Sequence, residues 1–199
     1  MRTSAARFLQ DFPVAEREAA LDSMAALFFP TKLGRNEHLV RTGEKSRKLA
    51  YIGKGVMRAY HSSPNGSEYT KTVFLENEFI APLAALTTGE GSPISLQALT
   101  DTELLVADYF ELERLYRKHH CLEHMGRVII QWEWVKKEVR EIRLVTLSAE
   151  ERYDLYLAEF PGLERRIPWY YIASFLGITP VALSRIRGRK RTQGEQAPG

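Results

Sequence analysis

The chain has one cysteine, Cys121, in 199 residues. That excludes an internal disulfide framework and a four-cysteine metal cluster. Long apolar runs are missing too: no stretch approaches the roughly 18 residues needed to span a bilayer. The N-terminus, Met-Arg-Thr-Ser-Ala-Ala-Arg-Phe-Leu, has neither a long apolar core nor a cleavage pattern. Together these absences predict a cytoplasmic protein with no membrane partner. Catalytic signatures are also lacking. There is no Gly-x-Ser-x-Gly elbow, no phosphate loop and no dinucleotide fingerprint, so nothing points to an enzyme. His38 and His61 stand alone, which excludes the His-x-His pair of a cupin metal site. His119, His120, Cys121 and His124 cluster near the start of a helix, and His120 and His124 share a face. Histidines at such a place are usually solvated, so neither a metal nor a cofactor is expected.

What the chain does have is concentrated near its C-terminus. The segment Ile167-Pro-Trp-Tyr-Tyr-Ile-Ala-Ser-Phe-Leu-Gly-Ile-Thr-Pro-Val-Ala-Leu-Ser-Arg-Ile-Arg-Gly-Arg-Lys-Arg191 reads as two helices around a tight turn. Gly177 sits where the first helix must stop, since glycine tolerates the left-handed conformation. Thr179 and Pro180 restart the chain as N-cap and first helical residue. Ile172, Leu176, Ile178, Leu183 and Ile186 fall on the inward faces, and small Ala173 allows close approach. This is a helix-turn-helix pattern, whose second helix enters the major groove. Thr179, Val181, Ser184 and Arg185 are left facing outward, followed by Arg187, Arg189 and Lys190. Residues 164–191 carry seven basic residues against one acid, in a chain of net charge only +3. Such focusing is the footprint of a phosphate-binding face.

The rest of the chain reads in order. Residues 14–29 predict an amphipathic helix with Leu21, Met24, Leu27 and Phe28 on one side, closed by Pro30. From Lys32 to about Asp108 the pattern becomes strand-like, with turn signals every eight to twelve residues. The strongest is Ser62-Ser-Pro-Asn-Gly66, between strands at Val56–His61 and Tyr69–Leu75. Many short strands with regular turns predict a barrel or jelly roll. A long helical run follows, in which Met125, Val128, Trp132, Val135, Val139 and Ile142 recur at alternating steps of three and four. That spacing predicts a coiled-coil seam between two copies of the chain. Ser148-Ala-Glu-Glu151 is a capping box that opens a new helix.

The predicted fold class is therefore α+β. It comprises an N-terminal β-roll with its first helix (1–121), a dimerisation helix (122–147) and a helix-turn-helix domain (148–191). Residues 192–199, with a single alanine as their only apolar residue, read as a disordered tail.

Along residues 20–190 the chain resembles the Crp/Fnr family of bacterial transcription regulators. The resemblance rests on Gly43-Glu44, Tyr51-Ile-Gly-Lys-Gly55, Asn77-Glu-Phe-Ile80, Ser148-Ala-Glu-Glu-Arg-Tyr153 and Tyr171–Ile186, the last two looking especially like its short Bacteroidetes-type members. It implies a cyclic-nucleotide-binding-type roll, a homodimer and control of transcription from a palindromic DNA site. RNA polymerase is a further partner implied by that role.

Two departures qualify what the resemblance implies. Members that bind cyclic AMP carry Gly-Glu after the Phe-Ile pair and an Arg-Ser or Arg-Thr about ten residues later. Here those positions hold Ala81-Pro82, followed by Leu83, and Ser92-Pro93. A cyclic phosphate entering this candidate pocket loses its charge partner, a contact worth roughly 1.5–3 kcal/mol, so cyclic AMP is not expected to bind. At the DNA end, the family's Arg-Glu pair is replaced by Pro180-Val181, and too few residues follow for a β-hairpin wing. A protein-interaction module with a relic DNA-binding domain is the alternative, which the retained basic charge disfavours.

Overall fold

A computed structural model describes residues 8–195. Eight strands form two antiparallel four-stranded sheets. One sheet has the order β1 (Phe29–Leu33), β8 (Thr102–Asp108), β3 (Lys48–Lys54), β6 (Phe79–Ile80). The other has the order β2 (His38–Val40), β7 (Ser95–Ala98), β4 (Met57–Ser62), β5 (Glu68–Phe74). Between them lies an apolar core that includes Leu39, Ile52, Met57, Ala59, Ile80, Leu96, Leu104 and Val106. This is the expected β-roll. Its turns use the residues the sequence offers. Gly66 takes φ 82° in the β4–β5 hairpin. Gly55 takes φ 111°, where a Cβ would stand 2.5 Å from the Thr102 hydroxyl, so only glycine fits.

The first helix, α1, ends earlier than predicted, at Val14–Ala25. Phe29 and Pro30 belong instead to β1, paired with Val106 and Leu105. Pro30 is tolerated because β1 is an edge strand. Short helices α2 (Leu83–Thr88) and α3 (Tyr109–Tyr116) precede α4, which runs His120–Thr146. At 27 residues, α4 is about 40 Å long.

One residue of the expected seam is used within the chain. Met125 is buried, packed with Leu9, Ala20, Cys121 and Leu122 where α1 crosses α4. The remaining seam is open: Val128 is half-buried, and Trp132, Val135, Val139 and Ile142 are 38–53% exposed.

Ser148 then caps α5 (Ala149–Glu159), its hydroxyl accepting from the Glu151 N–H while Glu151 accepts from the Ser148 N–H. A short 3-10 turn, Leu163–Arg165, leads to α6 (Trp169–Leu176) and α7 (Pro180–Glu195). Helix α7 thus takes in residues 192–195, which the sequence assigned to a disordered tail; residues 196–199 lie outside the described ones.

The helical segment does not stand apart from the roll. One apolar cluster joins Val56, Val73, Leu75 and Leu99 of the roll to Tyr153, Tyr156, Tyr171, Ile172, Leu176, Leu183 and Ile186. At its edge lies Arg58, a strand residue only 2% exposed. Its guanidinium lies 3.8 Å from the Tyr60 ring centroid and 4.2 Å from that of Tyr171 on α6. It donates to Glu68 at 2.5 Å and to Gln97 at 2.8 Å. Around it, the Ser174 hydroxyl donates to the Glu68 carbonyl and accepts from the Thr70 N–H. Arg140 of α4 donates to the carbonyls of Thr70 and Phe175. The outer face of the β4–β5 sheet is therefore the seat on which α6 rests.

Candidate nucleic-acid interface

The turn between α6 and α7 has the hydrogen bonds of a Schellman motif. The Ile178 N–H donates to the Ala173 carbonyl at 3.0 Å and the Gly177 N–H to Ser174 at 3.2 Å. Gly177 takes φ 69°, the left-handed conformation its position requires. The Thr179 hydroxyl then accepts from the Ala182 N–H at 3.2 Å, capping α7. Ile172, Ala173, Leu176, Leu183 and Ile186 are all buried between the helices. Arg152 of α5 fixes this unit to α4. It donates to the Leu176, Leu144 and Leu147 carbonyls, which the ends of α6 and α4 leave without helical partners.

Opposite the packing residues, α7 presents an open face. Thr179, Val181, Ser184 and Arg185 are exposed, Val181 by 61%. Arg185 forms no ion pair or hydrogen bond among the described residues. It is a free guanidinium on the second turn of the helix. The arrangement can offer a planar, bidentate donor to an acceptor pair and a methyl-bearing surface beside it.

The other cations are engaged. Arg187 stacks over the Trp169 ring at 3.3 Å and sits 3.8 Å from Glu164, so it faces back into its own domain. Arg189 lies 3.3 Å from Glu150. Lys190 lies 2.7 Å from Asp154, with Glu150 also within reach. A polyanion approaching α7 competes with these α5 carboxylates for Arg189 and Lys190. Surface pairs of this sort are worth about 0–1 kcal/mol, so the exchange is easy. Among the described residues no strand follows α7 to form a wing.

The roll's candidate pocket residues form a closed loop pair. Ser92 is 1% exposed, and its hydroxyl donates to the Ile94 carbonyl. Its carbonyl accepts from the Gly43 N–H, and its N–H donates to the Glu44 carbonyl. A Cβ on Gly91 would lie 2.5 Å from the Gly43 carbonyl, so the two loops interlock. Pro82 is buried at the start of α2, Ala81 is half-buried, and Leu83 and Pro93 face solvent. No charged side chain belongs to this set.

The sequence gives no sign of the roles of Arg140, whose partners Thr70 and Phe175 lie 70 and 35 residues away, or of Arg152, which gathers the ends of two helices. Of the histidines, His120 pairs with Glu123 at 3.7 Å and His124 bonds to Arg127 at 3.0 Å. Among the described residues no group of three or more His, Cys, Asp or Glu side chains could hold a metal ion. No described helix is long and apolar enough to cross a membrane.

Residues 30–119 match the family model of the cyclic nucleotide-binding domain. A comparison with curated proteins gives no match. Solved structures resemble the whole architecture. FixK2 from Bradyrhizobium japonicum superposes with a TM-score of 0.74 at 19% identity, over 84% of this chain and 86% of that one. CLP, a c-di-GMP-responsive global regulator of Xanthomonas campestris, gives 0.73 at 16%, over 92% and 96%. A regulator ascribed to the Crp/Fnr family from Eubacterium rectale gives 0.68 at 16%, over 92% and 86%. At 84–92% of this chain, these superpositions take in the roll, the long helix and the helical segment together. Residues 30–119 are thus similar to the cyclic nucleotide-binding domain, and the chain as a whole shares its fold with these Crp/Fnr-type structures.

Proposed function

We propose that this protein is a homodimeric DNA-binding transcription regulator whose roll does not take cyclic AMP. The observation that carries the reading is the exposed face of α7, where Thr179, Val181, Ser184 and unpaired Arg185 stand on a capped, well-packed recognition helix. Arg185 pairs with a guanine edge in the major groove, and Val181 meets a thymine methyl. Arg189 and Lys190, released from Glu150 and Asp154, meet phosphates. Arg187 instead holds Trp169 and takes no phosphate.

The exposed stripe Trp132, Val135, Val139 and Ile142 on α4 supports dimerisation, since a second copy would cover it by two-fold symmetry. Symmetry then sets the two recognition helices about 34 Å apart and calls for a palindromic operator. The loop pair at Ser92 supports the sensor reading: it is filled by its own hydrogen bonds and offers no cation to a cyclic phosphate. The resulting protein is a regulator whose effector, if the roll takes one, is not recognised through that phosphate contact.

The test is selection of bound duplexes followed by fluorescence titration at several salt concentrations. Arg185→Ala is expected to cost about 1–3 kcal/mol on the selected duplex and to relax preference at one base pair per half-site. Lys190→Ala should weaken all duplexes alike and reduce the salt slope by about one unit per half-site. Equal binding of selected and scrambled duplexes, unchanged by Arg185→Ala, would replace this reading with that of a protein-interaction module.

A further inference from the structure

Phe29 is misplaced for an ordinary roll residue. It stands directly opposite Val106 on β8, and directly paired residues point to the same face of a sheet. Val106 is 3% exposed in the roll's core, yet Phe29 is 56% exposed. An inward-facing aromatic is left uncovered. The reason is a groove of about 500 Å³ at this end of the roll, between the edge strand β1 and the opposite sheet. Phe29 gives it an exposed apolar wall over the buried Leu39, Val106 and Ala107, and Thr31, Lys48 and Asp108 complete the lining with Arg47. Its volume falls within the roughly 300–1,000 Å³ of small-molecule sites.

Arg47 lines this groove and also a second hollow of about 320 Å³ alongside it. The second hollow is lined by Arg47, Arg114, Arg117, Phe110 and Glu113, three cations against one acid. Arg47 is fixed in place. Its Nε and Nη2 donate to Asp108 at 2.6 and 3.1 Å, and its Cζ lies 4.7 Å from the Phe110 ring centroid. Its other terminal nitrogen is left for a ligand. Asp108 is itself fully committed, since it also caps α3 by accepting from the Phe110 and Glu111 N–H groups. Arg114 pairs with Glu111, whereas Arg117 is exposed and has no ion pair among the described residues. An apolar groove thus opens onto a cationic rim through one shared, oriented guanidinium. Neither hollow includes Ala81, Pro82, Leu83, Ser92 or Pro93, the loop positions of the cyclic-nucleotide-type pocket.

We infer that this end of the roll binds a small amphiphile, its apolar chain along Phe29 and its single anionic head, carboxylate or phosphate, between Arg47 and Arg117. The apolar wall excludes a bare anion as the preferred ligand. The arginines exclude a neutral hydrocarbon. The site does not depend on whether the chain binds DNA.

Titration calorimetry on the full chain tests this, with dodecanoate and dodecyl phosphate used below their micelle concentrations. Saturable binding of either, at one per chain, is expected, with dodecanol and acetate giving none. Arg117→Ala and Phe29→Ser change exposed side chains that hold no other element. Each should weaken binding at least tenfold while circular dichroism and melting stay unchanged. Trp134→Ser removes an equally exposed aromatic on α4 and should leave binding as it was. The proposal is overturned if neither amphiphile binds, if dodecanol binds as tightly, or if Trp134→Ser matters as much as Phe29→Ser. It is equally overturned if the protein sediments with anionic phosphatidylglycerol vesicles while monomeric amphiphiles give no heat, because the groove is then a membrane contact.

Discussion

Truncating Arg58 to alanine should destabilise the whole chain by about 3–5 kcal/mol, because this one buried side chain ties residues of the roll to a residue of the helix-turn-helix. Three losses add up. The first is the ion pair with Glu68. Breaking a buried pair costs about 3–5 kcal/mol when the survivor stays buried. Glu68, however, is 41% exposed and rehydrates, so only about 1–2 kcal/mol survives here. The second is the Gln97 side-chain oxygen, left without its donor in a residue 7% exposed, at about 1 kcal/mol. The third is the stacking between Tyr60 and Tyr171, about 0.5–1 kcal/mol for each ring. For a chain of this size the total lowers Tm by about 6–20 °C. Arg58→Met keeps an apolar stem between the rings and should cost only about 1–2 kcal/mol. Urea unfolding followed by circular dichroism and tryptophan fluorescence measures both. A double-mutant cycle with Tyr171→Ala should return a coupling of about 1 kcal/mol. If Arg58→Ala costs under 1 kcal/mol, or the two changes are additive, the interlock between roll and helix-turn-helix is not where the stability lies.

Arg58 also shows what a sequence conceals. Its neighbours Met57 and Ala59 face the core of the roll, so strand alternation sends Arg58 outward, where an arginine reads as solvated. It is buried only because α6, more than a hundred residues later, covers that face. Met125 is the same problem on a helix. A heptad pattern records which positions are apolar, and it cannot say whether the cover comes from α1 or from a second copy. Arg187 faces inward because Trp169, on the preceding helix, lies beneath it. The early end of α1 follows the same rule, since Phe29 and Pro30 are claimed by β8 some 75 residues away. By contrast, the features legible in the chain are those whose causes are local. Gly177 and Thr179 set the turn, Ser148 and Glu151 close a box within four residues, and Gly66 makes its hairpin. Arg185 was legible for the same reason: its exposure follows from the helix's own periodicity.

Two further predictions concern the interfaces around this core. Trp132→Glu should convert a dimer to monomer in sedimentation at micromolar concentration, a loss of about 2 kcal/mol or more, or roughly thirtyfold in the dissociation constant; an unchanged dimer places the contact elsewhere. The other is a pH dependence centred on Glu76, at the end of the roll nearest the helical segment. Its carboxylate accepts from both terminal nitrogens of Arg166 and from the Gly55 N–H at 2.9 Å. The Arg166 hydrogen bonds, reinforced by the backbone donors, hold its pKa down at about 2, against an ordinary 4.5. A depressed folded-state pKa means that the folded form holds the proton less tightly than the unfolded chain. The stabilisation is therefore complete above the unfolded value, declines as pH falls below about 4.5, and is largely spent near 2. Glu76→Gln removes it at every pH. The wild type should thus melt above the variant at pH 6, and the gap should narrow steadily between pH 4.5 and pH 2. Other carboxylates titrate in the same range but are common to both proteins, so they cancel in the difference. A gap that stays constant across that window would mean that Glu76 contributes through packing and not through its charge.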